Sequence, residues 1–481
     1  MLIRYLLYWV RMVRFAATGG RLFYGWMTLL AATIAMGLVS YGHHITDGLA
    51  VTNMTDQVSW GIGIANFVYF VGVAAAAAIL VVPAYLYHRE DIKEVVLIGE
   101  MMAVVAVVMC LMFILSDVGR ADRLWHLMPP LGLMNFPDSL LAWDVIAFNG
   151  YLLINLHIPG YLLYRKYCRE TPKKLFYLPL VFVSIVWALS IHTVTAFLLS
   201  GLGSRPFWNS TILAPRFLIS AGASGPAILY VVLAVVRKYS LLKVKDSVFD
   251  YLRMVLRISM PLNMFLVGCE LFTEFYPGTI HATSARYLFV GLHGHSLLVG
   301  FIWTALAMNL LAIVIFVVPK LSAKPNLVMF ACWLTIFGIW TEKGVGLVLP
   351  GFTPTPLGEL SEYAPNWGEI AVNLGIVAIG LFAFTLMVKV AVGVLTDQLK
   401  MPLSEVPREL QRRPWLDGRK LMAANQAKAR AEFGRAISRS SGESRRREAR
   451  ALLRELKLTR QARLKRPVYS PALTRERERE R

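Results

Sequence analysis

Charge is scarce in this sequence, and so is cysteine. Of 481 residues only 17% are Asp, Glu, Lys or Arg and 56% are apolar, whereas a soluble globular chain carries roughly 25% charged residues. That balance excludes an ordinary soluble enzyme. The four cysteines, Cys110, Cys168, Cys269 and Cys332, stand far apart, with no CxxC or Cys/His spacing able to ligate zinc or an iron–sulfur cluster. No metal site is expected, disulfides are not expected to organise the fold, and metal-based electron chemistry has to come from another chain. A cleavable leader is not expected either, because Arg4, Arg11 and Arg14 break up the apolar residues at the start. Residues 1–21 read instead as an interfacial amphipathic lead-in on the cytoplasmic side.

What the chain has is apolar runs. A bilayer core takes about 20 mostly apolar residues per helix, and ten stretches qualify: 24–46, 59–87, 94–116, 140–164, 175–201, 212–236, 254–276, 288–318, 327–349 and 367–395. The reading is an all-α membrane protein, with a ten-helix domain over 22–396 and a basic cytoplasmic tail over 397–481. Lys and Arg follow the positive-inside rule if the N-terminus is cytoplasmic. Nineteen then fall in inner segments and five, Arg120, Arg123, Arg205, Arg216 and Arg286, in outer loops. With ten spans the C-terminus is also inside. No large soluble domain is expected on either face. The loop Pro350-Gly-Phe-Thr-Pro-Thr-Pro-Leu-Gly358 is proline-stiffened and suits a fixed docking surface.

Ionisable groups inside a span cost roughly 2.5–3.5 kcal/mol on insertion scales and mark functional paths by default. Under this topology they gather toward the outer face. His43, His44, Asp47 and Glu369 lie close enough to the interface to be read as solvated. Asp144, His192, Glu270 and Glu342 sit deeper and read as functional, with helix–helix hydrogen bonding as the alternative. His293 and His295 are placed in the eighth span. Glu270 and Glu274 share a helix face at i, i+4, so one of them is protonated or partnered. Glu342 and Lys343 point about 100° apart and cannot pair with each other; Glu270 is a candidate partner for Lys343. Glu270, His295, Glu342 and Lys343 form the expected proton-handling set, an ion pair of purely structural value being the alternative. Arg257 and Lys389 can snorkel to the inner surface. Gly72, Ala74–Ala78, Gly222, Ala223 and Gly225 remove bulk and favour close helix packing.

Four segments together are distinctive: Trp60-Gly-Ile-Gly-Ile-Ala-Asn-Phe67; Ser190-Ile-His-Thr-Val-Thr-Ala-Phe197 with Arg205-Pro-Phe-Trp208; Ala214-Pro-Arg-Phe-Leu218; and Trp340-Thr-Glu-Lys-Gly-Val-Gly-Leu347. In this order they resemble the NrfD/PsrC family of membrane subunits over about residues 22–396, most closely its DsrP branch in sulfur metabolism. The tail has no counterpart. The resemblance implies two adjacent four-helix bundles framed by extra helices, in the cytoplasmic membrane of a bacterium or archaeon. It implies a quinone, of the menaquinone type, as bound substrate near the outer face, with no heme or iron–sulfur cluster in this chain. The implied partners are a periplasmic iron–sulfur protein and, in the DsrP branch, a heme b membrane subunit, a multiheme cytochrome c and a heterodisulfide-reductase-like subunit.

The family's key tyrosine falls in the segment matching Ala188–His192, which has none here, so its role passes to His192. Of Asn66 and Phe67, near the place of the relatives' histidine and asparagine, only Asn66 can donate. The expected quinone contacts are Trp60, Asn66, His192, Thr193, Arg205 and Trp208, with His192 and Asp144 exchanging protons. Two other classes remain open at this point. A secondary transporter, or a proton-translocating subunit without quinone chemistry, shares the span number, and a diheme cytochrome b would need facing histidine pairs. For the basic tail, the nearest anionic partner is membrane lipid in preference to nucleic acid, with partial helix expected over 421–458.

Overall fold

The computed structural model describes residues 2–278 and 281–402; the tail beyond them, with its expected helix over 421–458, lies outside the described residues. After a short helix α1 (Leu2–Ala17) come α2 (Arg21–Thr46), α3 (Ile62–Leu86), α4 (Val96–Asp117), α5 (Leu140–Tyr167), α6 (Leu178–Ser200), α7 (Leu213–Tyr239), α8 (Asp246–Phe275), a brief α9 (His281–Phe289), α10 (Val299–Val317), α11 (Pro325–Phe352) and α12 (Trp367–Leu395). Ten of these are long and apolar enough to cross a membrane: the protein is an all-helical, multi-pass membrane protein. The helices coincide with the expected spans to within a few residues, with two exceptions.

Both exceptions have local causes. α8 begins at Asp246, two turns before its apolar stretch, where Arg253 bonds Asp250 at 2.6 Å and the Ser322 carbonyl at 2.8 Å. The expected span from 288 is shorter, because the chain reverses between α9 and α10. Gly291 and Gly294 take φ of +91° and +90°, a region that glycine enters without strain, and Leu292 and His295 pair backbone to backbone between them. His293 and His295 therefore lie in a loop, which corrects their placement in the eighth span.

The helices pack in two sets of neighbours. α3, α4, α5 and α6 each touch the next and α3 closes on α6; α7, α8, α10 and α11 do likewise, with α11 closing on α7. α2 and α12 pair along their lengths, and α12 also packs on α4. That pairing depends on two glycines: a β-carbon on Gly37 would lie 2.7 Å from the Gly375 α-carbon, so the backbones touch with nothing between them. The sets meet where α3 packs on α7 and on a wide, i→i+5 bonded turn of α11 at Trp340–Val345. Gly344 sits in that turn against the Ala65 carbonyl, 2.8 Å from where its β-carbon would be.

Helix starts are capped from near and far. Ser139 caps α5 by accepting from Ala142 N, and Asn366 and Glu369 form a reciprocal capping box on α12. Glu369 also accepts from Asn53 N at 3.0 Å and from the Tyr363 hydroxyl at 2.5 Å. With 4% exposure it is a buried structural acceptor, which corrects its reading as a solvated interfacial group. At the other end of the bundle α1 buries Tyr8, Met12 and Ala16. The Tyr8 ring meets Tyr164 and Tyr167 of α5 edge-on. Two ends can thus be told apart: a basic end carrying α1 and loops such as 168–177, and a proline-rich end carrying the 201–212 and 353–366 loops.

Candidate functional site

α5 and α6 run antiparallel, and their facing surfaces bring together two of the predicted residues. Asp144, one turn into α5, is 3% exposed and accepts a 3.1 Å hydrogen bond from the Thr195 hydroxyl through Oδ1, while Oδ2 has no partner. His192 is three residues before Thr195, hence on the same face of α6, and is wholly buried. Its Nδ1 lies 3.1 Å from the Ala188 carbonyl. A carbonyl can only accept, so Nδ1 carries the proton and Nε2 presents a lone pair. Nε2 is buried with no partner. Thr193 is turned away and donates to the Leu189 carbonyl of its own helix; the threonine that meets Asp144 is Thr195, and the 3.6-residue period could have pointed to it.

The other predicted contacts lie apart from this pair. Asn66 is committed on both sides of its amide, accepting from Trp340 Nε1 at 2.7 Å and donating to Asn373 Oδ1 at 2.8 Å. Trp60 and Trp208 stack on each other, centroids 5.4 Å apart and planes 17° from parallel, so no flat ring enters between them. Trp208 is fully buried and donates to the Leu347 carbonyl. The Arg205 guanidinium lies over the Phe352 ring at 4.5 Å. Trp60, Arg205 and Trp208 thus bind the loop after α6 to the end of α11.

A second polar centre occupies the other set of helices. Glu342, in the wide turn of α11, accepts from Arg216 Nη2 at 3.1 Å, Asn263 Nδ2 at 3.1 Å and Asn309 Nδ2 at 2.8 Å. The other arm of Arg216 pairs with Glu270. Arg216 is 6% exposed inside α7, which corrects its placement in an outer loop and displaces Lys343 as the partner of Glu270. Sequence reasoning missed it because a single arginine near a span end counts as a loop charge. Asn263 and Asn309 carry no charge to flag them. A water-sized void of about 10 Å³ opens beside Arg216, Glu270, Glu274 and Glu342. Glu274, buried, has one oxygen unpaired there.

Lys343 follows Glu342 in sequence yet faces the other way. Its ammonium lies over the Phe217 ring at 4.3 Å and donates a long 3.4 Å bond to the Phe217 carbonyl. It also reaches Gly72 of α3, where a β-carbon would lie 3.3 Å from Nζ. His295, in its loop, pairs with Glu362 at 3.3 Å, both partly exposed, and joins neither centre. Among the described residues no group of three or more His, Cys, Asp or Glu side chains could hold a metal ion. A separate apolar cleft of about 100 Å³ runs between α2, α4 and α12, lined by Ile34, Leu38, Tyr41, Met112, Ser116 and Ile376 among others.

Residues 50–352 match the family model described as polysulphide reductase, NrfD. The chain belongs to the NrfD family. It is 24% identical over 403 residues to a Halobacterium salinarum protein named as a putative membrane subunit of dimethyl sulfoxide reductase, with 75% of this chain and 89% of that one covered. A selenate reductase subunit of Mesobacillus selenatarsenatis is 21% identical, with 76% and 93% covered. The Hdr-like menaquinol oxidoreductase integral membrane subunit of Archaeoglobus fulgidus is 23% identical, with 76% and 92% covered. These relatives are named as subunits of reductases or of a menaquinol oxidoreductase; this chain is an NrfD-family membrane protein.

Proposed function

We propose that the chain binds a quinol between α5 and α6 and serves as the membrane subunit through which a redox complex exchanges electrons with the quinone pool. The observation that carries this is the pair of unserved acceptors about one turn apart, His192 Nε2 and Asp144 Oδ2. Leaving buried polar atoms unpaired costs about 1–3 kcal/mol each, and a quinol hydroxyl supplies the donor that both lack. The tautomer fixed by Ala188 makes His192 the base that accepts the hydroxyl proton, and Asp144 is the second acceptor. When bound, the quinone couple supplies two-electron, two-proton chemistry; the protein positions it and handles the protons. A menaquinol agrees with the name of the Archaeoglobus fulgidus relative.

Orientation and partners belong to the same reading. In this reading, supported by the lysine and arginine asymmetry, the basic end is cytoplasmic and the quinol pair lies toward the outer face. Electrons leave on that side to an iron–sulfur protein, which docks on the exposed part of the loop over 350–358, held from beneath by Arg205–Trp208. Leu357 is 88% exposed there and Trp367, at the start of α12, 82%, apolar side chains of the kind that anchor interfaces. The DsrP-like assembly, with a heme b subunit, a multiheme cytochrome c and a heterodisulfide-reductase-like subunit, is the complex this reading fits. In the second set of helices Glu342 is fully engaged by three donors, so proton handling there falls to Glu274, while Lys343 is turned toward Gly72 of the first set.

A second placement is favoured by the cleft between α2, α4 and α12, which is apolar and adjoins Ser116 and Asp117. A photoreactive quinone analogue bound to the assembled complex decides between them. Labelled peptides from α5 and α6 support the His192 site, and labels confined to α2, α4 and α12 move the head group to the cleft.

A further inference from the structure

The loop that joins α4 to α5 belongs to neither polar centre, and it is apolar where a loop in water would be polar. From Leu124 to Pro137 it carries no Asp, Glu, Lys or Arg, and only His126 is ionisable. Its large side chains stand outward: Leu133 is 83% exposed, Leu131 69%, Met128 61% and Trp125 50%. Apolar side chains standing out from one short stretch mark a surface that something apolar covers. The charged residues of the loop lie before and after it. Arg120 and Asp122 pair with each other at 2.8 Å, both exposed, and Asp138 follows on the other side.

The stretch is continuous with a surface that faces lipid. α5 is one of the membrane spans, and Leu141, Trp143 and Ile146 in its first turns are exposed, so they look outward into the bilayer. The loop is fastened to that side of the helix: Trp143 Nε1 donates to the Pro137 carbonyl at 2.8 Å, and the Phe136 and Trp143 rings lie 4.6 Å apart. An irregular backbone cannot enter the hydrocarbon, where its N–H and C=O groups would go unserved. It can lie at the headgroup boundary with its side chains dipped below, and this backbone suits that depth. Pro129, Pro130 and Pro137 have no N–H to satisfy. Ala121–Leu127 closes a tight helical turn, and Met128, Gly132 and Ser139 donate to the carbonyls of Trp125, Met128 and Asn135 at 3.0, 2.9 and 2.9 Å. Tryptophan, here Trp125, is a residue that concentrates at this boundary. A face that docks a water-soluble protein keeps a polar, charged rim, which Leu124–Pro137 lacks.

We propose that residues 124–137 form an interfacial anchor, lying in the headgroup layer of the leaflet at the proline-rich end with Trp125, Met128, Leu131 and Leu133 inserted among the acyl chains. The occupant is phospholipid, zwitterionic or anionic alike, because the stretch offers no fixed charge for a headgroup to pair with. The anchor is independent of the quinol reading and of the docking face at 350–358.

The test places a nitroxide on Leu133→Cys in the full chain, embedded in phosphatidylcholine nanodiscs, with Cys269→Ser removing the one native thiol that is not buried. Leu357→Cys, on a side chain that is almost wholly exposed, is the aqueous reference. The ratio of oxygen to nickel-chelate accessibility should be several-fold higher at Leu133 than at Leu357, and a bimane on the same cysteine should be quenched by lipids brominated near the headgroup. If the label at Leu133 disturbs the loop, Leu131→Cys should give the same result. Chelate accessibility at Leu133 and Leu131 equal to that at Leu357 would overturn the anchor. A label that is open to the chelate in the chain alone and shielded only in the assembled complex would also overturn it, by assigning the face to a protein partner.

Discussion

Arg216 of α7 reaches Glu342 of α11 at 3.1 Å and with its other arm holds Glu270 of α8. One guanidinium therefore bridges two acids, and it joins three helices of one set. Removing one partner of a buried ion pair costs about 3–5 kcal/mol. Arg216→Met should lose that much stability, read as a lower unfolding temperature in detergent and a poor yield of assembled protein. Adding Glu270→Gln and Glu342→Gln to it should recover part of the loss, since the stranded charges are then gone.

With Arg216 in place, Glu342→Gln and Glu270→Gln should each weaken the network while leaving quinol turnover within about 3-fold of wild type, because neither touches the reacting atoms. A loss of ~10²-fold or more, the usual size for a missing proton-transfer group, would return these acids to the proton path. Steady-state assays on assembled complexes provide the check.

The contact between Gly37 and Gly375 has no room for a side chain. Gly37→Val should push α2 from α12 and destabilise the pair by about 1–3 kcal/mol, the usual cost of overpacking. Protease cutting between α1 and α3 should become faster, with quinol affinity retained in the protein that remains folded.

Leu357 stands out from the proline-rich end with almost its whole side chain exposed. A cysteine there, carrying a short crosslinker, should capture the iron–sulfur partner, and a cysteine at Lys324, in the loop between α10 and α11 at the basic end, should not. The reverse pattern would put the docking face on the other side of the membrane.

Much of this fold is legible in the sequence because lipid leaves few options: a run of about 20 apolar residues has to be a helix. All ten spans follow from that alone. Where it failed, a local feature broke the run without changing its hydropathy. Gly291 and Gly294 turn the chain beside Leu292 and His295, inside what reads as one continuous span. In α11 the wide turn at Trp340–Val345 aims Glu342 into one set of helices and Lys343 at the other, a divergence that a regular helical period does not reveal. The candidate site was legible in part. Asp144 and His192 stand out as ionisable groups in apolar context. Arg216 hides near a span end, and Asn66 is recognisable as a donor while its partners, Trp340 and Asn373, lie hundreds of residues away in sequence.

If His192 Nε2 receives the quinol proton, quinol turnover by His192→Ala in the assembled complex is where the loss appears. The substitution removes the base without leaving a buried charge, so assembly should be kept while turnover falls by at least ~10²-fold. Wild-type turnover in an assembled His192→Ala complex would show that the proton goes elsewhere.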